Sequence, residues 1–159
     1  PIRPLFAKGY KDEVQCQSVV LSSDRQNDAD VIAMNGTAAA LFISPLPFNG
    51  PIASVRVGRV GGNLVAFPTQ DDLEESDLDL IVSGSEEAVL MIEGFSREMQ
   101  EAEMLEAIKF AHLAIKEVCE LQRELAEKVA VAKDEFVPPE EDGLLARLQE
   151  EFPVPFKPA

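Results

Sequence analysis

The sequence predicts an α/β (α+β) domain in which a sheet packs on helices and a short helical extension follows. Three observations predict it. Residues 31–60 change from helical to strand periodicity across Ser44-Pro45-Leu46-Pro47; short alternating or apolar runs recur at 53–67, 77–84 and 88–92; and apolar residues from Met99 onward return at steps of three, four and seven. With 46% apolar residues, a chain of 159 can bury one substantial core. No run approaches the ~20 apolar residues of a membrane span.

In chain order, Pro1-Ile2-Arg3-Pro4-Leu5-Phe6 and Lys8-Gly9-Tyr10 read as the end of a helix and a loop leading from a preceding segment. Asp12 to Ser22 alternates Val14, Cys16, Ser18 and Val20 against Gln15, Gln17, Val19 and Leu21, the pattern of a strand with one face better buried. The polar loop Ser23 to Asp30 feeds a buried helix, Asp30 to Ile43. There Val31, Met34, Ala38, Leu41 and Phe42 share a face, Asp30 accepts from free N–H groups, and Ala38, Ala39 and Ala40 favour helix and close packing. Pro45 and Pro47 end it, because each removes a donor and biases its predecessor away from the helical region.

After a turn at Phe48-Asn49-Gly50-Pro51, Ala53 to Val60 alternates, with Val55 and Val57 on one side and Ser54, Arg56 and Gly58 on the other. Gly61-Gly62 makes a two-residue hairpin before Leu64-Val65-Ala66-Phe67 returns. Thr69 caps one or two acidic turns in Gln70 to Ser76. Asp77 to Gly84 is a strand with Leu78, Leu80 and Val82 on one face, and the apolar run Ala88 to Ile92 reads as a central strand buried on both faces. Met104, Ile108, Ala111, Ile115, Val118 and Leu125 define a long amphipathic helix, with Ile108, Ala111, Ile115 and Val118 expected against the sheet. Past Ala130 the pattern breaks at Pro138-Pro139. One short helix is permitted between Gly143 and Phe152, and Pro153, Pro155 and Pro158 give an extended tail.

The net charge of −15 is unevenly placed: residues 1–67 carry six Lys or Arg against five Asp or Glu, and residues 68–159 carry eight against twenty-four. The second half therefore repels phosphates, while arginines of the first half remain able to touch a strand of nucleic acid. Cys16 and Cys119 share no CxxC spacing, which points to buried thiols in a reducing cytoplasm rather than a disulfide or metal framework. Pro1 and the lack of a basic, then apolar, leader suggest a fragment of a longer polypeptide rather than a secreted precursor.

The blocks PIRPLF, AMNG, PFNGPI, RVGRV, FPT, EESDLDLIVSG and AVLMIEG strongly resemble the first ribonuclease PH-like core domain of the bacterial polynucleotide phosphorylase family. The resemblance covers roughly the first four-fifths of the chain and fades after Met104. It implies a ribonuclease PH-like (ribosomal protein S5 domain 2-like) core half with a mixed sheet. Residues 1–128 would be the C-terminal part of the first core domain, and 129–159 the linker and start of an all-helical domain. The family's reaction is phosphorolysis of RNA from the 3′ end, which releases nucleoside diphosphates in mRNA turnover. The resemblance further implies Mg2+ and inorganic phosphate as the full-length enzyme's cofactors, with none bound to this part. Implied partners are RNA, a homotrimer and a second ribonuclease PH-like repeat of the same polypeptide, with no membrane, in the cytoplasm.

The family's second repeat carries a Gly-Ser-Ser-Ser phosphate loop and an Asp-x5-Asp-x-Lys carboxylate cluster. Here the loop falls on Asn27-Asp28-Ala29-Asp30, placing two anions and a methyl where hydroxyl donors stand, and the cluster falls on Leu73, Asp79 and Ile81. No catalytic residue and no metal site follow, and Asp79 is a remnant of the carboxylate cluster. Asp77, expected on the same side as Asp79, reads as part of a solvated face. Arg3, in PIRPLF, is placed by the resemblance near RNA; a structural ion pair is the competing reading. Arg56 and Arg59 point to opposite sides of one strand, and His112, without a nucleophile or partner histidine, reads as structural. Two functions fit: the non-catalytic repeat that builds the ring and lines the RNA path of an exoribonuclease, or a structural, protein-binding module without RNA contact.

Overall fold

A computed structural model describes residues 2–138 and 143–151. A 3-10 turn at Arg3–Leu5 opens the chain, and the helices are α1 (Ala29–Ile43), α2 (Gln70–Glu75), α3 (Glu101–Val129) and α4 (Leu144–Glu151). Four strands, β1 (Ala53–Val60), β2 (Asn63–Ala66), β3 (Leu78–Gly84) and β4 (Val89–Ser96), form one sheet in the order β2-β1-β3-β4, and all its pairings are antiparallel. Both glycines of the β1–β2 turn take positive φ, 56° at Gly61 and 81° at Gly62, as a two-residue hairpin requires. Thr69 and Asp72 form a reciprocal capping box at the start of α2.

The alternation read from the sequence divides the sheet into two faces. Val55, Val57, Leu78, Leu80 and Val82 pack against Ala107, Ala111, Ile115 and Cys119 of α3, and all nine are buried. The small side chains at Ala107, Ala111 and Cys119 let α3 lie close along β1 and β3. Ile108 and Val118, expected in this contact, are only half-buried; the helix is rotated so that Ala107, Cys119 and Gln122 complete the buried stripe with Ala111 and Ile115. Gln122 Nε2 donates to the Ile52 carbonyl at 2.9 Å and so fixes α3 against the start of β1. The other face carries Ser54, whose backbone N–H and carbonyl are both held by the Asn35 amide of α1, at 2.7 and 2.9 Å.

A second cluster, Ala38, Leu41, Phe48 and Ile52 with Leu5, Phe6 and Phe42 around it, joins the chain start to α1. Beyond α3, Ala130 turns the chain in the left-handed region (φ 51°), and Lys133 Nζ reaches the Leu41, Phe42 and Ser44 carbonyls at 3.3, 2.8 and 2.8 Å, capping the C-terminus of α1. Asp134 N–H donates to the Pro45 carbonyl at 2.7 Å, and Phe136 meets the Tyr10 ring edge-on.

Three expectations are corrected. Residues 12–22 form no strand: a strand needs a neighbour for its backbone donors and acceptors, none is offered there, and Val19, Val20 and Leu21 are exposed. Cys16, expected buried on that strand, is exposed, whereas Cys119 is buried. The run at Val89–Ile92 belongs to an edge strand, not a central one, and Leu90, Ile92 and Phe95 are exposed. Among the described residues no helix is long and apolar enough to cross a membrane.

Candidate functional site

The region where the loop and carboxylate patterns fall lies at the N-terminus of α1, beside β1 and β3. Asp24 sets the approach. Its carboxylate accepts from the Gln26 and Asn27 N–H groups, both at 2.9 Å, and from the Asn27 amide at 2.6 Å, which lowers its pKa to about 2. Asp28 then occupies the N-cap position of α1 without bonding the helix itself. Its carboxylate is turned to Arg56 and Gln70. Asp30, as expected, accepts from a free N–H at the helix start, that of Val31, at 2.6 Å.

Arg56 is the centre of this arrangement. The β1–β3 register sets Arg56 opposite Ile81 and Gly58 opposite Asp79, so Arg56 and Asp79 are diagonal neighbours on one face. The guanidinium meets the Asp79 carboxylate in two parallel bonds of 2.7 Å, bonds Asp28 with its remaining arm, and lies 3.8 Å from Asp30. These anions raise the arginine's pKa, the Asp79 hydrogen bonds most and against the opposing effect of burial. The cavity left there is about 40 Å³, room for little more than a water molecule. Three carboxylates against one guanidinium leave the site net negative, with its strongest acceptors already engaged.

Arg59 lies on the opposite face, as its position on β1 implies, and is held by Asp77 at 2.6 and 2.8 Å and by Glu103 of α3 at 2.9 Å. The expectation that Asp77 shares a solvated side with Asp79 is therefore corrected. Asp77 precedes the first residue of β3, is free of the strand's alternation, and turns to Arg59. The same arginine holds the Asp77 carboxyl below its usual range, and the Gln100 N–H, with Arg59 second, lowers that of Glu103. His112 Nε2 contacts the Ser85 carbonyl at 3.0 Å and ties α3 to the β3–β4 turn. Leu73 lies on α2 and Ile81 on β3, and neither brings a polar group to Asp79. Among the described residues no group of three or more His, Cys, Asp or Glu side chains is placed to hold a metal ion.

Arg3 is elsewhere, exposed on the 3-10 turn at the rim of a cavity of about 660 Å³ lined also by Phe6, Lys8, Tyr10, Lys11 and Asp12. Among the described residues no salt bridge engages it. Sequence reasoning missed Arg56 as the partner of Asp28, Asp30 and Asp79. The available signal was an arginine on the same sheet face as Asp79, but joining them requires the strand register.

Residues 50–114 match the model of the 3′ exoribonuclease family, domain 2. Across all 159 residues the chain is 61% identical to a polyribonucleotide nucleotidyltransferase of Rhodopirellula baltica. The chain belongs to the polyribonucleotide nucleotidyltransferase family. It is also 51% identical over 142 residues to a family member from Syntrophotalea carbinolica, and it spans 21% and 20% of the lengths of these two relatives. Among solved structures it resembles rice (Oryza sativa) Rrp46, with a TM-score of 0.57 at 12% identity over 65% of this chain and 50% of that one. That likeness establishes a ribonuclease PH-like fold.

Proposed function

We propose that this chain is the non-catalytic repeat of a phosphate-dependent 3′-to-5′ exoribonuclease, the part that helps build a trimeric ring and line the RNA path while phosphorolysis takes place elsewhere in the complete polypeptide. The observation that carries the reading is Arg56: the position expected for a phosphate loop is taken by Asp28 and Asp30, and the remnant carboxylate Asp79 is consumed by an internal guanidinium. Phosphorolysis needs donors around the attacking phosphate and free carboxylates for the metal. This site presents the reverse. The residues do not fit a divalent cation, because Asp79 is doubly bonded to Arg56 and Leu73 and Ile81 supply no ligand. Mg2+ and phosphate therefore belong to another part of the full-length enzyme.

Arg3 is the RNA contact of this reading, and its exposure without a carboxylate partner among the described residues supports it. Residues 129–159 begin the helical linker, and the complete protein is cytoplasmic. The test is phosphate-dependent release of nucleoside diphosphates from RNA. The purified chain is expected to release none, and to remain inactive when Mg2+ and phosphate are raised; release that tracks the protein through successive purification steps would overturn the assignment.

A further inference from the structure

The chain contains two Asn-Gly pairs, Asn35-Gly36 and Asn49-Gly50, and the fold treats them oppositely. Asn35 lies half-buried inside α1 with its amide held at both ends: Nδ2 donates to the Ser54 carbonyl at 2.9 Å, and Oδ1 accepts from the Ser54 N–H at 2.7 Å. The Gly36 N–H belongs to the helix ladder, in which each such group past the first turn donates to the carbonyl four residues before it. Asn49 is exposed on the turn between α1 and β1, and among the described residues its side-chain amide has no hydrogen-bond partner. Gly50 follows at φ 112°, a conformation that favours glycine, and beyond its chain neighbours no atom lies within 4 Å of where a Cβ would stand. We propose that Asn49 is a site of spontaneous deamidation whose isoaspartyl product loosens the seat of the chain start. The inference goes beyond the exoribonuclease reading and does not depend on it.

The reaction needs a free side-chain amide, an unhindered N–H on the next residue, and water. A base in the solvent takes the Gly50 amide proton, the nitrogen attacks the Asn49 Cγ, the bond from Cγ to Nδ2 breaks, and ammonia leaves with a proton, closing a succinimide. Water then opens the ring. Cleavage at Cγ restores the original main chain with aspartate at 49, whereas cleavage at the former backbone carbonyl carbon leaves Gly50 joined through Cβ, as isoaspartate. In sum, an amide and a water become a carboxylate and ammonium. The Gly50 N–H does donate to the Phe48 carbonyl at 3.2 Å, but that contact closes a three-residue turn at the surface and opens without unravelling a helix. At Asn35, two side-chain hydrogen bonds and a helical turn must break first, which slows the reaction by at least about tenfold. The turn is anchored on both sides: the Asn49 N–H bonds the Leu5 carbonyl at 2.7 Å, Phe48 bridges Phe6, and Pro51 and Ile52 are buried. Isoaspartate inserts an extra main-chain carbon between these anchors, so one side must shift. Asn49 is the exposed anchor, and the shift falls on its bond to Leu5.

The experiment incubates the 159-residue chain in mildly alkaline buffer, folded and in guanidinium chloride, and follows the two Asn-Gly peptides by mass spectrometry. Isoaspartyl methyltransferase labelling of the isolated Asn49 peptide identifies the rearranged product. In the folded chain the Asn49 peptide is expected to convert at least about tenfold faster than the Asn35 peptide, and in denaturant the two rates should converge. The incubated chain should then unfold at lower urea than fresh chain, while Asn49→Gln, whose longer side chain closes the corresponding larger ring far more slowly, should keep its midpoint through the same incubation. Equal rates at the two sites in the folded chain, an Asn49 peptide that stays intact there while converting in denaturant, conversion without isoaspartate, or an unshifted midpoint in chain converted at Asn49 would each overturn the proposal.

Discussion

Replacing Arg56 with Ala should destabilise the fold by about 2–3 kcal/mol. The figure follows from how the arginine is enclosed. Its side chain is 17% exposed, and those of Asp79, Asp28 and Asp30 are 25%, 36% and 48% exposed. Removing one member of a fully buried pair costs ~3–5 kcal/mol, whereas exposed pairs contribute ~0–1 kcal/mol, and this cluster lies between them. Losing Arg56 also leaves three carboxylates facing one another without a cation, so the deficit should shrink as salt screens their repulsion. Urea unfolding at pH 7 would show the loss as a midpoint lower by roughly 1–2 M. Arg56→Met, which retains much of the aliphatic stem, should lose nearly as much, since charge and hydrogen bonds dominate over packing. A cycle with Asp79→Asn should return a coupling of about 1.5 kcal/mol or more. A loss below ~0.5 kcal/mol in Arg56→Ala, or strict additivity with Asp79→Asn, would refute the view of Arg56 as the lock of this site.

Asp77 and Glu103 have carboxyls lowered in the folded state, so their contribution is present at neutral pH and is lost as pH falls through the lowered folded values; Arg59→Met should flatten the acid limb of a stability–pH profile measured by urea unfolding. Ile115→Ala should cost ~2–5 kcal/mol and half-buried Ile108→Ala about half as much, so equal unfolding midpoints for the two variants would contradict the observed rotation of α3. Gly94→Ala should lose ~3 kcal/mol or fail to fold, because a Cβ there would lie 2.0 Å from the Asp79 carbonyl oxygen and 2.9 Å from the Leu80 Cα; an alanine variant with parental thermal stability would show that β3 and β4 do not approach this closely.

What could be read in advance was what depends on near neighbours. The proline break after Ile43, the Gly61-Gly62 turn, the Thr69 cap and the alternation of β1 and β3 are each decided by a few adjacent residues, and each appears where the sequence places it. The misreadings share another origin. Residues 12–22 have strand-like alternation but no strand beside them, and the apolar run in β4 signals burial without showing that β4 ends the sheet. At the candidate site, the absence of hydroxyls from residues 27–30 and of polar side chains from Leu73 and Ile81 was visible residue by residue. That Arg56 fills the gap was not, because Asp28 lies 28 positions before it and Asp79 lies 23 after it, and only the folded register joins them.

The Lys133 contact has a consequence in time. The ammonium that neutralises the C-terminal carbonyls of α1 comes from 89–92 residues farther along the chain. At a synthesis rate of about 5–20 residues per second, α1 leaves the ribosome roughly 5–20 s before its cap exists. During that interval the helix has its Asp30 contact at one end and, at the other, only Ser44 donating to the Leu41 carbonyl, with the Phe42 and Ser44 carbonyls still lacking the ammonium. Its final turn should therefore be among the last parts of the molecule to become protected from hydrogen exchange during synthesis, acquiring that protection when α3 has emerged and the chain has doubled back through Ala130.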